Sequence, residues 1–324
     1  MKPQDGYIAY IINPHAGSGR MKKCEQRFRD YLTSRGFDVR VRETTSLEHT
    51  CEQANEAAID YDCKLVVAAG GDGTVREVAH GLEGSDKPLL IVPCGTENLL
   101  ADELGFDGRL ETIIKTFEVA NVRPFDLGSA NGKCFTSIIG FGFDGLVVKR
   151  VDEIRHGHIN HMTYFWPLWH TFWDYKFDPM KVQVDGREVF GGRGLVFVGN
   201  ISRYALGLQI LRSADFSDGL LDICIYKCAS KTRLIKHSIA TVFKQHTFGS
   251  DVIYCQGREI TVSSDSGNIE TEIDGDPGPA LPVNIKIIPK AVNIMVLEGA
   301  RPAGIRARLR RVLRKVIFFR NNCA

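Results

Sequence analysis

No stretch of this 324-residue chain stays apolar for the roughly 18 residues that a membrane-spanning helix requires. The first twenty residues, MKPQDGYIAYIINPHAGSGR, hold too short an apolar run for a secretory signal. The nine cysteines include no CxxC pair, and Cys224 and Cys228 alone make no metal-site spacing. They are read as reduced thiols of a cytoplasmic protein. His156, His158 and His161 match no zinc signature. No GxxxxGK[ST] occurs, which excludes a P-loop ATPase, and GSGRMK lacks the last glycine of a dinucleotide GxGxxG. Acidic residues are missing from residue 301 onward, where eight Lys/Arg gather, so the net charge of +2 conceals a body of −6.

What is present divides into two textures. Residues 7–13, 38–43, 64–69 and 88–93 read as strands, and helical patterns lie between them. Strands alternating with helices predict a parallel sheet covered on both faces. After about residue 120 short alternating strands take over, with Asn131-Gly132 and Asp185-Gly186 as hairpin signals. The expected fold class is an N-terminal α/β domain (1–121) and a mostly antiparallel β-sandwich (122–297) whose last segment can return to the first domain. A basic tail (298–324) follows.

In an open parallel sheet, ligands collect beyond the carboxyl ends of the strands. Three loops occupy that edge: NPHAGSGR (13–20), GGDGT (70–74) and PCGTEN (93–98). Each follows a strand and precedes a helix, where backbone N–H groups and the helix dipole favour an anion. Glycine admits close approach of a phosphate. Ser18, Thr74 and Thr96 offer hydroxyls, and Arg20, Lys22 and Lys23 offer charge. Together the loops suggest a nucleoside-triphosphate site.

These motifs resemble the diacylglycerol kinase catalytic domain family, which includes sphingosine and ceramide kinases. GGDGTVREVAHGL, NPHAGSGR and PCGTENLLADELG carry the resemblance in the first half. RPFDLG, FTSIIGFGFDGLVV, VGNISRYALGLQI, ADFSDGLLDICIY and IDGDPGP carry it through the second. It implies a two-domain lipid kinase that uses ATP and Mg²⁺ on a lipid hydroxyl, with diacylglycerol as the expected acceptor. By motif match, Asp72 lies at the triphosphate and metal, and Asp126 supports the metal from the domain junction. Asn13, Ser18, Gly19, Arg20, Gly71, Gly73, Thr74, Glu77, Thr96 and Asn98 line the nucleotide. Asp276, where the family usually has Glu, is the expected base. Asp215 and Asp218 either cap turns or, as in some relatives, hold a structural Mg²⁺. Leu99 stands where the family commonly has Asp. Rival readings are an NAD kinase, through GGDGT, and a nucleotide- or lipid-binding regulator without turnover.

Two segments bear on the membrane. Trp166, Trp169 and Trp173 fall on one helical face, expected to pack on the β domain, with a lipid-facing role as the alternative. In the tail, Ile305, Leu309, Val312, Leu313, Val316 and Ile317 form an apolar stripe among arginines. It suits either a docked helix or an anionic membrane surface contacted through 301–320. The expected partner is a lipid at the membrane surface. Nucleic acid is not expected, because the body is acidic, and homodimerisation stays open.

Overall fold

A strand buried on both faces has no polar alternation, and this decides the first half of the molecule. The computed structural model describes residues 2–297 except Gln4, His15, 17–19, Thr96, 155–160 and 266–268, and without the side chains of Arg20, 161–165 and Leu206. The chain opens as β1 (Tyr7–Ile12), α1 (Arg20–Ser34), β2 (Asp38–Glu43), α2 (Leu47–Ile59), β3 (Cys63–Gly70) and α3 (Asp72–Gly81). It continues through β4 (Pro88–Pro93), α4 (Leu99–Glu103) and α5 (Leu110–Val119). These strands pair in parallel in the order β2-β1-β3-β4. β1, β3 and β4 are almost wholly buried, whereas the charged alternation of DVRVRE belongs to the half-exposed edge strand β2. Phe28, Leu32, Ala54, Ala57, Val75 and Val78 from the helices close over the sheet.

The second half contains β5 (Val122–Ala130), β6 (Lys133–Phe135), β7 (Ile138–Phe141), α6 (Phe143–Glu153) and α7 (His161–Asp174). Then come β8 (Pro179–Val184), β9 (Arg187–Gly199), β10 (Arg203–Tyr204), β11 (Leu208–Gln209), β12 (Leu221–Lys227) and α8 (Lys231–Val242). It ends with β13 (Val252–Gly257), β14 (Glu259–Ser263), β15 (Thr271–Ile273), β16 (Asp276–Pro277) and β17 (Val283–Met295). Asn131-Gly132 and Asp185-Gly186 all have positive φ and turn β5 into β6 and β8 into β9. Long β9 pairs with β8 along its first half and with β7 and β12 along its second. Two antiparallel sheets thus face each other across Phe135, Phe141, Val182, Val198, Ile223 and Ile260.

β17 ties the halves together. Val283–Lys286 pairs with β14, Ile285–Ile288 and Val292–Met295 pair antiparallel with β5, and Asn293–Ile294 pairs parallel with β4. Between its two stretches on β5 the register shifts, with Lys290 at φ +52°. A bulge of this kind takes an N–H off the ladder. Asp126 on β5 satisfies it: its Oδ1 accepts from Lys290 N at 2.6 Å, and its Oδ2 accepts from Gly219 N at 2.7 Å. Its carbonyl accepts from Asn200 Nδ2 at 2.6 Å, and Asp126 is fully buried.

The tryptophan face departs from the expectation. Trp166, Trp169 and Trp173 point outward, each about half exposed or more. Buried Pro167 and Thr171, one turn apart, face the body instead, and Phe172 packs against the cluster of Leu195, Phe197, Tyr226 and Leu234. Arg150 fixes this orientation by donating to Thr171 Oγ1 at 3.2 Å and pairing with Asp174 at 3.2 Å. Among the described residues no helix is long and apolar enough to cross a membrane. The stripe of the basic tail, His156 and His158 lie outside the described residues, as does the side chain of His161.

Asp126→Ala removes the buried carboxylate that holds the N–H groups of Lys290 and Gly219, and the expected loss is about 2–4 kcal/mol of unfolding free energy. Urea titration measures it; a loss under about 0.5 kcal/mol would remove the clamp from the account.

Candidate active site

β3 ends at Gly70, and the chain turns at Gly71 directly into α3. The room beside Gly70 is filled by the Thr74 side chain, which folds back to within 2.4 Å of where a Cβ would stand. A Cβ on Gly95 would lie 2.6 Å from the Cα of Gly71, so the loops after β3 and β4 press backbone on backbone. Asn98, in the left-handed conformation at φ 55°, closes the second loop. Its Oδ1 accepts from Gly95 N and its Nδ2 donates to Gly95 O, both at 2.8 Å. Half-buried Asp72, the first residue of α3, accepts from Leu100 N at 3.4 Å through Oδ1. Burial, then the negative charge of Asp274, pushes the Asp72 carboxyl up to about 7.

One turn further along α3, Arg76 is buried to 1% exposure. Its Nη1 donates to Asp276 Oδ2 at 3.0 Å and its Nε to Glu77 Oε1 at 2.9 Å. Asp276 opens β16, the second arm of a hairpin whose turn is Asp274-Gly275, both at positive φ. Asp274 plugs that turn into the body, because its carboxylate accepts from the N–H groups of Thr136, Ser137 and Ile138 at 2.8–3.0 Å. Gly275 N donates to Glu272 Oε2 at 3.0 Å. Glu272 is fully buried, and burial, then the Asp144 charge, raises its carboxyl well above the usual range. Asp144 in turn accepts from the Tyr204 hydroxyl. On the other side, Lys133 Nζ donates to Pro277 O at 3.0 Å. Burial, then the Arg76 charge, lowers the lysine's affinity for its proton.

The site therefore joins a glycine-walled strand–loop–helix edge to a rigidly held acidic hairpin from the other half of the chain, through one buried guanidinium. Residues 8–130 match the model of the diacylglycerol kinase catalytic domain, and residues 137–296 match the YegS C-terminal NAD kinase beta sandwich-like domain. A diacylglycerol kinase of Mycobacterium tuberculosis (strain ATCC 25618 / H37Rv) is 31% identical over 297 residues, covering 90% of this chain and 95% of that protein. The chain belongs to the diacylglycerol kinase family. A diacylglycerol kinase of Bacillus subtilis (strain 168) is 28% identical, covering 84% of this chain and 90% of its own length. A crystal structure of a diacylglycerol kinase from Bacillus anthracis shares the fold with a TM-score of 0.68 at 21% identity, over 93% of this chain and 100% of that one. Yeast NADH kinase is a more distant fold relative, with a TM-score of 0.53 at 10% identity over 98% of this chain and 89% of that one. Membership makes the protein a lipid kinase, a phosphotransferase that uses ATP.

Within this lipid kinase, Asp72, Gly71, Gly73, Thr74, Glu77 and Asn98 lie on the β3 and β4 loops or the helices that follow. Half-buried Asn13 joins them by donating its N–H to Ala69 O at 3.2 Å. Glu77 is pulled two ways: burial opposes its charge, but His80 and Arg76 hold its carboxyl below the usual value. Asp126 lies at the β17 bulge, where its Oδ2 accepts from Gly219 N beside the turn of Asp215 and Asp218. Asp215 and Asp218 cap their own turn, accepting from Ser217 N at 3.0 Å and Leu220 N at 2.9 Å. Ser18, Gly19 and Thr96 lie outside the described residues, as does the side chain of Arg20. Sequence reading missed Arg76, Lys133, Glu272 and Asp274. Asp274-Gly275 carried a usable signal as a hairpin dipeptide. Arg76 carried none, since its partner Asp276 is 200 residues away.

The raised Asp72 carboxyl has a measurable consequence for the ligand-free protein. In the folded chain it keeps its proton up to about pH 7, whereas in the unfolded chain it ionises near ~3.9. Between those values the folded state holds the extra proton, so this group makes stability fall as pH rises. Asp72→Asn should flatten that fall between about pH 4 and pH 7. Thermal melts across the range test it, and an unaltered slope would contradict the assignment.

Proposed function

We propose that this lipid kinase transfers the γ-phosphoryl group of ATP to the hydroxyl of diacylglycerol at a membrane surface, with Mg²⁺ held at Asp72. The observation that carries the reading is the Arg76 link, which sets Asp276 of the hairpin beside the helix that begins with Asp72. The Asp72 site fits a divalent cation. Its carboxylate sits amid the negative charge of Asp274 and Glu97, and hard carboxylate oxygens are what Mg²⁺ selects. Bound there, Mg²⁺ supplies neutralisation of triphosphate charge. Gly71 and Gly95 let the loops after β3 and β4 close on each other, which sets their backbone N–H groups at the strand edge for phosphate oxygens, and the motif match assigns Asn13, Ser18, Gly19, Arg20, Gly73, Thr96 and Glu77 to the nucleotide. Asp276 accepts the lipid hydroxyl proton as the new O–P bond forms and the bond to ADP breaks. It is one methylene shorter than the Glu usual in the family, and the Asp274 plug fixes its reach. Asp126 acts from the bulge by fixing β5 against β17.

The choice of diacylglycerol rests on whole-length relatives that carry that name. The membrane setting rests on exposed apolar residues of α7 and α8. Trp166, Trp169 and Trp173 of the first, and Ile235, Ile239 and, at the end of the second, Phe243, are all exposed. Lys231 on α8 donates to Trp173 O and lies 5.3 Å from the Trp173 ring. Tryptophan beside lysine suits an anionic lipid–water boundary.

Labelled ATP is to be offered with vesicles containing diacylglycerol, ceramide or sphingosine, or with NAD in solution. Phosphatidic acid is the expected product. Asp72→Ala, and Asp276→Asn, which still offers Arg76 a hydrogen-bond acceptor, should each keep the fold and lose at least about a hundredfold in kcat. Another phosphorylated lipid would overturn the substrate, phosphorylated NAD would overturn the acceptor class, and no turnover would favour a binding protein. For the surface, Trp169→Ala with Trp173→Ala should weaken binding to anionic vesicles by at least about tenfold without lowering the melting temperature. Unchanged sedimentation with vesicles would remove this face from the reading.

A further inference from the structure

A second cluster of ligating side chains lies on the far side of Glu77 from Arg76. Helices α2 and α3 cross very closely: a Cβ on Gly81 would stand 2.6 Å from both the Ala54 side chain and the Cys51 carbonyl. This contact brings Cys51 of α2 against Glu77 and His80, which are three residues apart on one face of α3. One ligand atom from each of the three lies within 4.8 Å of the others. Cys51 Sγ is 3.6 Å from His80 Nδ1, and His80 Nδ1 is 3.8 Å from Glu77 Oε2.

The second spacing is long for a nitrogen–oxygen hydrogen bond, which prefers about 2.7–3.2 Å. Both spacings are close to those of ligands sharing one metal. With Zn–S about 2.3 Å, Zn–N about 2.05 Å and Zn–O about 2.1 Å, tetrahedral angles put sulfur and nitrogen about 3.6 Å apart, and nitrogen and oxygen about 3.4 Å apart. The donor set of thiolate, imidazole and carboxylate suits zinc and not Mg²⁺. Around it, Asn55 Nδ2 donates to Cys51 Sγ at 3.7 Å, the kind of outer hydrogen bond that orients a metal ligand. The Glu77 side chain is 16% exposed and that of His80 41%, so an ion has a path in and a solvent molecule can complete the coordination.

We propose that Cys51, Glu77 and His80 form a zinc site that staples α2 to α3, separate from the Mg²⁺ site at Asp72. Glu77 divides its carboxylate between the two regions, with Oε1 on Arg76 and Oε2 toward the cluster. Zinc there holds Glu77, and through Arg76 bears on the Asp276 hairpin.

The test uses the full chain without ATP. Zinc titration by calorimetry, with metal analysis after dialysis, is expected to give one zinc per chain and a raised melting temperature. Cobalt(II) in its place is expected to give a near-ultraviolet thiolate-to-metal absorption band. Cys51→Ser and His80→Asn should each weaken zinc binding at least about tenfold, whereas Asp72→Ala should leave it unchanged. Melts of the metal-free variants establish that they fold, and the cobalt spectrum of the unaltered protein stands independently of them. Absence of zinc binding, cobalt binding without the thiolate band, or zinc affinity indifferent to both substitutions would overturn the proposal.

Discussion

A buried guanidinium is the interaction on which the functional half of the structure depends. Arg76 leaves water almost completely, and such a charge is tolerated only where carboxylates meet it with good geometry. Asp276 and Glu77 provide direct contacts, and Asp274 adds its field. These acids come from both ends of the chain, so satisfying one arginine fixes the mutual placement of the GGDGT loop with its helix and the acidic hairpin. Replacing this set with apolar groups could fill the same space, but it would not hold a carboxylate at one place beside α3.

The rest of the site is built to keep that placement rigid. Asp274 spends its oxygens on three consecutive backbone N–H groups, and Glu272 accepts from Gly275 N in the same turn. The glycine contact between the β3 and β4 loops removes slack from the opposite wall. Phosphoryl transfer depends on positioning and charge more than on covalent participation, and the surrounding hydrogen bonds are arranged accordingly. Domain rearrangement is also restrained, since β5 and β17 pair on both sides of the bulge.

Much of this was legible in the sequence where the signal is local. The buried runs of β1, β3 and β4, the edge alternation of β2 and the two Gly-containing hairpins follow from period and turn chemistry. The GGDGT loop could be placed because a strand precedes it and a helix follows. What could not be read was which distant group satisfies which. Arg76 looks like any surface arginine of a helix until its partner two hundred residues away is seen. The motif match assigns Asp126 to metal support, and its bonding to Lys290 and Gly219 emerges only with the β17 bulge. The tryptophans of α7 share a face, as their spacing requires, but spacing does not say whether that face meets protein or solvent. Thr171 and its bond from Arg150 decide that. Nor does any spacing in the sequence join Cys51 to Glu77 and His80, because only the helix crossing at Gly81 makes them neighbours.

The return of β17 also bears on how the chain is made. Among the described residues, β4 has β3 on one side and only Asn293–Ile294 of β17 on the other. During synthesis the N-terminal domain therefore waits, with one sheet edge unpaired, for a segment some two hundred residues downstream. An exposed edge is a template for pairing with another chain. The sheet edge of the first half is closed only by a strand that follows the sandwich in the chain. Its last hydrogen bonds form when the ribosome has delivered nearly the whole sandwich.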